Sequence, residues 1–194
     1  MPTSRLEAFS DGVFAIAITL LVLEIRVPDH SANLSKALLH AWPSYFAYVV
    51  SFLTIGIMWV NHHQVFRFVR HVDRRLLFVN LGLLMCVAFI PFPTSVAARF
   101  IEESSQGRAA VVLYGTTLTL TAVFWQLLWY RAIDRPAVLG PEPSRAAIDA
   151  ISRSFWMGLP VYAAGTAVAL ASPRASMIVF GAVALFYVFE RGQR

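Results

Sequence analysis

Charged residues are scarce in this chain, and their scarcity argues against an ordinary water-soluble fold. Asp, Glu, Lys and Arg make up 14% of the 194 residues, whereas hydrophobic residues make up 58%. A soluble domain usually carries about 25% charged and 45–50% apolar residues. The mean hydropathy of +0.63 agrees with this contrast. The composition therefore predicts an all-α, polytopic membrane protein in which residues 1–194 form a single helical domain.

Cysteine is almost absent, and the marks of a cleaved leader are missing. The single cysteine, Cys86, lies in an apolar run, so an intrachain disulfide is impossible. Glu24, Ile25 and Arg26 follow the first apolar segment, where a signal peptide would have small residues at its cleavage site. We therefore expect the first segment to remain in the protein as a membrane helix.

Motifs of the common enzyme and nucleotide-binding classes are also missing. The chain has no Walker loop, dinucleotide fingerprint, HExxH or GxSxG sequence. It also lacks TVGYG, which excludes the filter of a classical potassium channel. The net charge of +5 does not indicate a nucleic-acid partner, because the basic residues lie between apolar segments, as topology signals and lipid contacts do. We expect no cofactor and no enzymatic activity.

Long apolar segments dominate what is present. A helix that crosses a bilayer needs about 20 mostly apolar residues. Six segments are candidates: 6–26, 42–65, 76–98, 109–130, 153–171 and 175–190. Pro91 and Pro93 should kink or end the third segment, and Pro160 should bend the fifth, because proline removes a helical hydrogen bond. The sequence therefore predicts six transmembrane helices.

The distribution of basic residues predicts the orientation of these helices. Cytoplasmic loops are rich in Lys and Arg. If the N-terminus is inside, 11 of the 16 basic residues are cytoplasmic: Arg5, Arg67, Arg70, Arg74, Arg75, Arg131, Arg135, Arg145, Arg153, Arg191 and Arg194. Both termini should therefore be cytoplasmic.

The first segment combines an apolar stripe with a polar start. At about 100° per residue, one stripe contains Phe9, Ile16, Leu20, Leu23 and Val27. Ser10 and Asp11 point away from this stripe. An ionisable residue beside a membrane helix suggests a function, although either residue could simply cap the helix start. If the stripe faces a central axis, Ser10 and Asp11 face neighbouring helices.

The second and third segments carry further polar residues. Trp59, His62, His63 and Phe66 have helical i, i+3, i+4, i+7 spacing. Adjacent histidines point about 100° apart, and no carboxylate or cysteine nearby completes a metal shell, so we expect no metal site. Asn80 lies at a comparable depth in the third segment.

Buried polar groups in a helix bundle need partners. We therefore expect Ser10, Asp11, Asn80 and either His62 or His63 to form one interhelical network.

These residues together resemble a known family. The motifs that carry the resemblance are Arg5-xxx-Phe9-Ser10-Asp11, Trp59-xx-His62-His63-xx-Phe66, and Asn80 with Pro91-Phe92-Pro93. The chain is similar to bacterial homologues of the lysosomal transmembrane protein 175 family, which are non-classical potassium channels. The resemblance extends over the six-helix length, but its specific motifs lie in the first half.

The resemblance implies a function as well as a fold. It implies a homotetramer of six-helix subunits in a bacterial plasma membrane, with a potassium-permeable pore lined by the first helix of each subunit. Hydrophobic rings would take the place of a carbonyl filter. By position, Ile16 forms the narrowest ring, Leu20 and Leu23 follow it, and Thr19 lies beside them. Glu24 and Asp29 would then lie at the outer mouth, where repeated carboxylates attract cations.

Two other functional classes remain open from the sequence. A small proton-coupled secondary transporter could use Asp11 and His62 as a relay, and a membrane enzyme could use the two histidines. Many secondary transporters contain an inverted repeat, and this sequence shows none. A cation channel is therefore the leading hypothesis.

Overall fold

The computed structural model describes residues 3–25, 33–103, 105–134 and 145–192, and helices make up the architecture of these ranges. The helices are α1 Thr3–Leu20, α2 Leu34–His40, α3 Trp42–Phe68, α4 Arg74–Phe89, α5 Pro91–Phe100, α6 Gln106–Ile133, α7 Arg145–Ala171 and α8 Pro173–Gly192. A 3₁₀ turn, Leu21–Glu24, continues α1. The all-α prediction is therefore confirmed.

Side-chain caps define the starts of two helices. The Asp73 carboxylate accepts a hydrogen bond from the backbone N–H of Leu76 over 2.7 Å at the start of α4. The Asn33 side chain accepts one from the N–H of Lys36 over 3.1 Å at the start of α2. Such caps satisfy backbone donors that a helix leaves unpaired. The cap at Asp73 starts α4 after a connection of only five residues from the end of α3.

The third apolar segment is divided at its prolines. Helix α4 ends at Phe89, and Pro91 takes the first position of α5, where its missing N–H costs no helical hydrogen bond. The predicted break near Pro91 is therefore confirmed. Pro160, by contrast, lies inside α7, which continues past it as one helix.

Helix α6 is central to the packing. It contacts α4, α5, α7 and α8, while α1 packs between α3 and α4. Fully buried side chains from four of these elements meet in one core, among them Leu21, Ile55, Leu83 and Leu118. A buried cluster of hydroxyls joins three helices: Ser51 of α3 lies 2.8 Å from Oγ1 of Thr94 and 3.0 Å from the hydroxyl of Tyr114.

Two glycines allow close approach of α6, α7 and α8. A Cβ at Gly115 would collide with the Thr166 side chain, and a Cβ at Gly165 would lie 2.6 Å from the Phe180 ring. Both glycines are therefore close-packing points between helices. Small residues have this use where membrane helices meet.

Four helical stretches are long and apolar enough to cross a bilayer: Thr3–Glu24, Trp42–Phe68, Arg74–Phe100 and Gln106–Ile133. Shorter apolar stretches, Phe155–Ala171 and Pro173–Phe189, lie in α7 and α8. The protein is therefore a multi-pass membrane protein.

Candidate functional site

Helix α1 has one face bound to its own subunit. The side chains buried on this face are Leu6, Ser10, Phe14 and Ala17, and Leu21 continues the row into the 3₁₀ turn. Their spacing of three and four residues places them on one side of a helix. Ser10 is the polar member of this row, so it needs a partner inside the bundle.

The exposed side of α1 carries an apolar stripe. Ile16 is 61% exposed and Leu23 is 73% exposed, and Phe9 and Leu20 lie on the same side. Contiguous exposed apolar surface marks contact with a protein or with lipid. The structure therefore brings the stripe identified in the sequence onto one face, up to Leu23; Val27 lies outside the described residues.

Thr19 shares the exposed face. Its Oγ1 donates to the backbone carbonyl of Ile16 over 2.9 Å. The hydroxyl proton is thus used within α1, and the oxygen keeps its capacity to accept a bond or contact a cation.

A chain of hydrogen bonds ties the buried face of α1 to α3 and α4. Ser10 Oγ donates to the Leu6 carbonyl over 2.8 Å, and Asn80 Nδ2 donates to Ser10 Oγ over 3.1 Å. His62 Nε2 lies 2.9 Å from Asn80 Oδ1. Because the Asn80 oxygen can only accept, the bond requires that His62 carry a proton on Nε2. Ser10, His62 and Asn80 are fully buried or nearly so.

Aromatic rings surround the His62 imidazole. Phe66 stacks on it with ring centroids 4.4 Å apart. Phe14 of α1 and Trp125 of α6 meet it edge-on at 5.4 and 6.2 Å. His62 is therefore held by three helices, through contacts that fix its ring and exclude water.

The expectation of one network that includes Asp11 needs correction. Asp11 is exposed, and its Oδ1 accepts a hydrogen bond from Trp59 Nε1 over 2.9 Å. Ser10 and Asp11 are consecutive, so their side chains leave α1 about 100° apart. Ser10 therefore points into the bundle, whereas Asp11 lies at its surface and binds α3 separately. The donor to Asp11 is thus the Trp59 indole on α3, in place of the expected histidine or Asn80.

The remaining residues singled out in the sequence lie apart from this chain. Arg5 and His63 are exposed, so of the two histidines it is His62 that joins Asn80. Glu24 is half-buried at the end of the 3₁₀ turn. Asp29 lies outside the described residues. In the described part of the chain, no cluster of three His, Cys, Asp or Glu side chains could hold a metal ion.

Sequence reasoning missed two residues of the site. Phe14 follows Ser10 by one helical turn, and this spacing alone could have placed it on the buried face beside the second helix. Trp125 is more distant in sequence, and its contact with His62 depends on how α6 packs against α3. No local pattern indicates that contact.

Comparison with known proteins gives concordant matches. Residues 5–91 match the family described as "Endosomal/lysosomal potassium channel TMEM175". The Potassium channel B446_29190 of Streptomyces collinus is 44% identical over 97% of this chain and 93% of its own length. The Potassium channel Cha6605_3372 of Chamaesiphon minutus is 40% identical over 97% of this chain and 94% of its own length.

The fold agrees with these sequence matches. The crystal structure of a lysosomal potassium-selective channel TMEM175 homolog from Chamaesiphon minutus superposes with a TM-score of 0.88 at 39% identity. The match covers 97% of both chains.

Proposed function

Because the chain belongs to the TMEM175 family of potassium channels, we propose that it conducts potassium through a central pore lined by the exposed face of α1. The observation that carries this proposal is the division of α1 into two faces. One face is fastened to α3 and α4, and the other presents Ile16, Leu20 and Leu23 outside the subunit.

A pore of this kind needs several copies of the chain, because one helix cannot enclose a channel. We propose a homotetramer in which six transmembrane helices of each subunit surround a four-fold axis. Apolar stretches Phe155–Ala171 and Pro173–Phe189 would supply the fifth and sixth spans. Both termini would be cytoplasmic, in a bacterial plasma membrane, as the distribution of basic residues predicts.

Four Ile16 side chains would form the narrowest ring, with Leu20 and Leu23 toward the outer side. Branched apolar side chains squeeze the hydration shell of an ion, and a narrow apolar ring can close by dewetting. Thr19 would lie beside the ring, where its oxygen can contact a partly dehydrated cation. Glu24, and Asp29 beyond it, would raise the local cation concentration at the outer mouth.

The residues behind the pore have a positioning role in this proposal. The Ser10–Asn80–His62 chain holds the buried face of α1, and the Trp59–Asp11 bond holds its edge. The phase of α1 then decides which side chains face the axis. Arg5 and Phe9 open the same helix on its exposed side.

Recording from the purified chain in planar bilayers tests the channel. We expect single-channel potassium currents that follow the electrochemical gradient without coupling to protons. The alternative is a proton-coupled secondary transporter that uses Asp11 and His62. Saturable flux that requires a proton gradient, without unitary currents, would contradict the channel proposal and support this transporter.

A further inference from the structure

A small cavity lies between α3, α6, α7 and α8, and no residue of α1 lines it. Its volume is about 50 Å³. Aromatic side chains, among them Trp125, Phe155 and Tyr162, form much of its wall. The cavity is therefore separate from the exposed face of α1, and only the Trp125 ring lies between it and His62.

Two residues of this wall have buried polar atoms without hydrogen-bond partners. They are Oδ1 of Asn61, which accepts, and Nε1 of Trp125, which donates. Buried polar groups in native proteins are nearly always paired, so each exception needs an explanation. A hydroxyl group both donates and accepts. A hydroxyl placed within reach of both atoms would therefore pair with both residues.

The space limits what can carry that hydroxyl. A water molecule needs at least about 10–15 Å³ of such volume, so 50 Å³ accommodates a hydroxyl and the first carbons attached to it. A lipid headgroup is too large. Gly158 also lines the cavity, and a Cβ built there meets no atom within 4 Å.

A wider apolar groove of about 430 Å³ lies next to the cavity, and Ile57 and Tyr187 line both spaces. Other groove residues are Phe52, Leu53, Gly56, Trp59, Val60 and Val188. A Cβ at Gly56 also meets no atom within 4 Å. The residues that line the two spaces carry no formal charge, which favours a neutral occupant with an alkyl chain.

We propose that the cavity and the groove together bind a straight-chain aliphatic alcohol. Its hydroxyl lies in the cavity, where it accepts from Trp125 and donates to Asn61, and its alkyl chain extends along the groove. The bound hydroxyl lies next to Trp125, whose ring also meets His62. Alcohol binding at this site depends on the residues of the cavity and the groove and does not require that the protein conduct ions.

Fluorine NMR of the full chain labelled with 5-fluorotryptophan tests the site, with the Trp125 signal assigned through Trp125→Phe. We expect 1-octanol and 1-propanol to shift this signal saturably, with 1-octanol binding at least tenfold more tightly. Methyl heptyl ether, which cannot donate to Asn61, should bind at least tenfold more weakly than 1-octanol. Equal binding of ether and alcohol, or no saturable shift, would overturn the proposal.

Two glycine variants separate the cavity from the groove. Gly158→Leu should abolish binding of both alcohols, whereas Gly56→Leu should weaken 1-octanol tenfold and leave 1-propanol unchanged. If Gly158→Leu fails to fold, Gly158→Ala should weaken both alcohols several-fold. Unchanged binding in every folded Gly158 variant would overturn the assignment of the cavity. The assignment would also be overturned if no alcohol shifted the Trp125 signal, the result expected if Asn61 and Trp125 bond each other directly.

Discussion

The indole Nε1–H of Trp59 donates to Oδ1 of Asp11 over 2.9 Å, and this bond joins α3 to the surface edge of α1. Ser10, the preceding residue, is bound on the other side by Asn80. Two consecutive residues of α1 are therefore fixed in different directions. The rotation of α1 about its axis is held at two points, and a pore built from α1 depends on that rotation.

Removing either partner of the Trp59–Asp11 bond should destabilise the subunit to a similar extent. We expect Trp59→Phe and Asp11→Ala each to cost about 1 kcal/mol, since the net contribution of a hydrogen bond is of that order. Thermal unfolding measures the effect on stability, and size exclusion measures the fraction of the proposed tetramer. The double variant should lose little more unfolding free energy than either single variant.

Trp156→Phe is the matched control, because Trp156 is exposed on α7. It should unfold like the parent. Additive effects of Trp59→Phe and Asp11→Ala would show that the two side chains act independently. A change in ion selectivity in Asp11→Ala, with assembly intact, would place Asp11 in the pore.

Shortening the proposed ring residue should widen the pore. Ile16→Ala should raise unitary conductance and weaken discrimination between potassium and sodium, because a smaller side chain leaves more of the ion's hydration intact. Bilayer recordings under bi-ionic conditions measure both quantities. Ile178→Ala is the control, since Ile178 is similarly exposed at 64% but lies on α8. Identical conductance and reversal potential in Ile16→Ala and the parent would remove Ile16 from the constriction.

Asn80 should matter more to stability than Ser10. Asn80→Ala deprives both His62 and Ser10 of a partner, whereas Ser10→Ala leaves Asn80 Nδ2 without an acceptor. Each buried group left unpaired costs about 1–3 kcal/mol. The free energy of unfolding, measured with denaturant in detergent, should therefore be lowest for Asn80→Ala, higher for Ser10→Ala and highest for the parent. The reverse order would mean that the His62–Asn80 bond contributes little.

Gly165 should not accept a methyl group, whereas Gly56 should. Gly165→Ala forces the Phe180 ring to move, and overpacking of this kind costs about 1–3 kcal/mol. Gly56→Ala meets open space and should stabilise α3 by about 0.5–1 kcal/mol, the helix preference of alanine over glycine. Apparent melting temperatures should thus move in opposite directions. Equal shifts would contradict the close packing of α7 against α8.

The outer-mouth role of Glu24 should depend on salt. Glu24→Gln should lower inward conductance at low ionic strength and have little effect at high salt, where the Debye length falls to about 3 Å at 1 M. Glu102→Gln is the control, because Glu102 follows α5 on the same side of the proposed topology and is exposed. Equal currents in Glu24→Gln and the parent at low salt would show that the charge of Glu24 is neutralised or that the side chain faces lipid.

Local patterns were sufficient to predict much of this fold. Hydropathy located the long helices but not the short α2, and Pro91 marked the end of α4. The apolar stripe of α1 followed from helical periodicity, and its Ile16 and Leu23 side chains do share an exposed face. These features depend on residues within one helix, whose geometry the sequence determines.

Partner choice between helices was harder to predict. Trp59 and His62 are three residues apart and have similar directions on α3, yet one binds Asp11 and the other binds Asn80. The difference arises from the rotation and depth of α3 relative to α1 and α4. The pairing of His62 with Trp125 likewise depends on the packing of α6. Periodicity within a segment carries no information about these offsets.

The direction of donors along the His62–Asn80–Ser10 chain makes it a poor proton wire. Each member donates toward α1, and the last bond ends at the Leu6 carbonyl. A backbone carbonyl does not take up a proton at ordinary pH, and an amide side chain does not relay one readily. A proton that reached His62 would therefore stop there. In the proposed channel, the hydrogen bonds that fix α1 therefore offer protons no path through the bundle interior, and the exposed face of the helix is left as the route for ions.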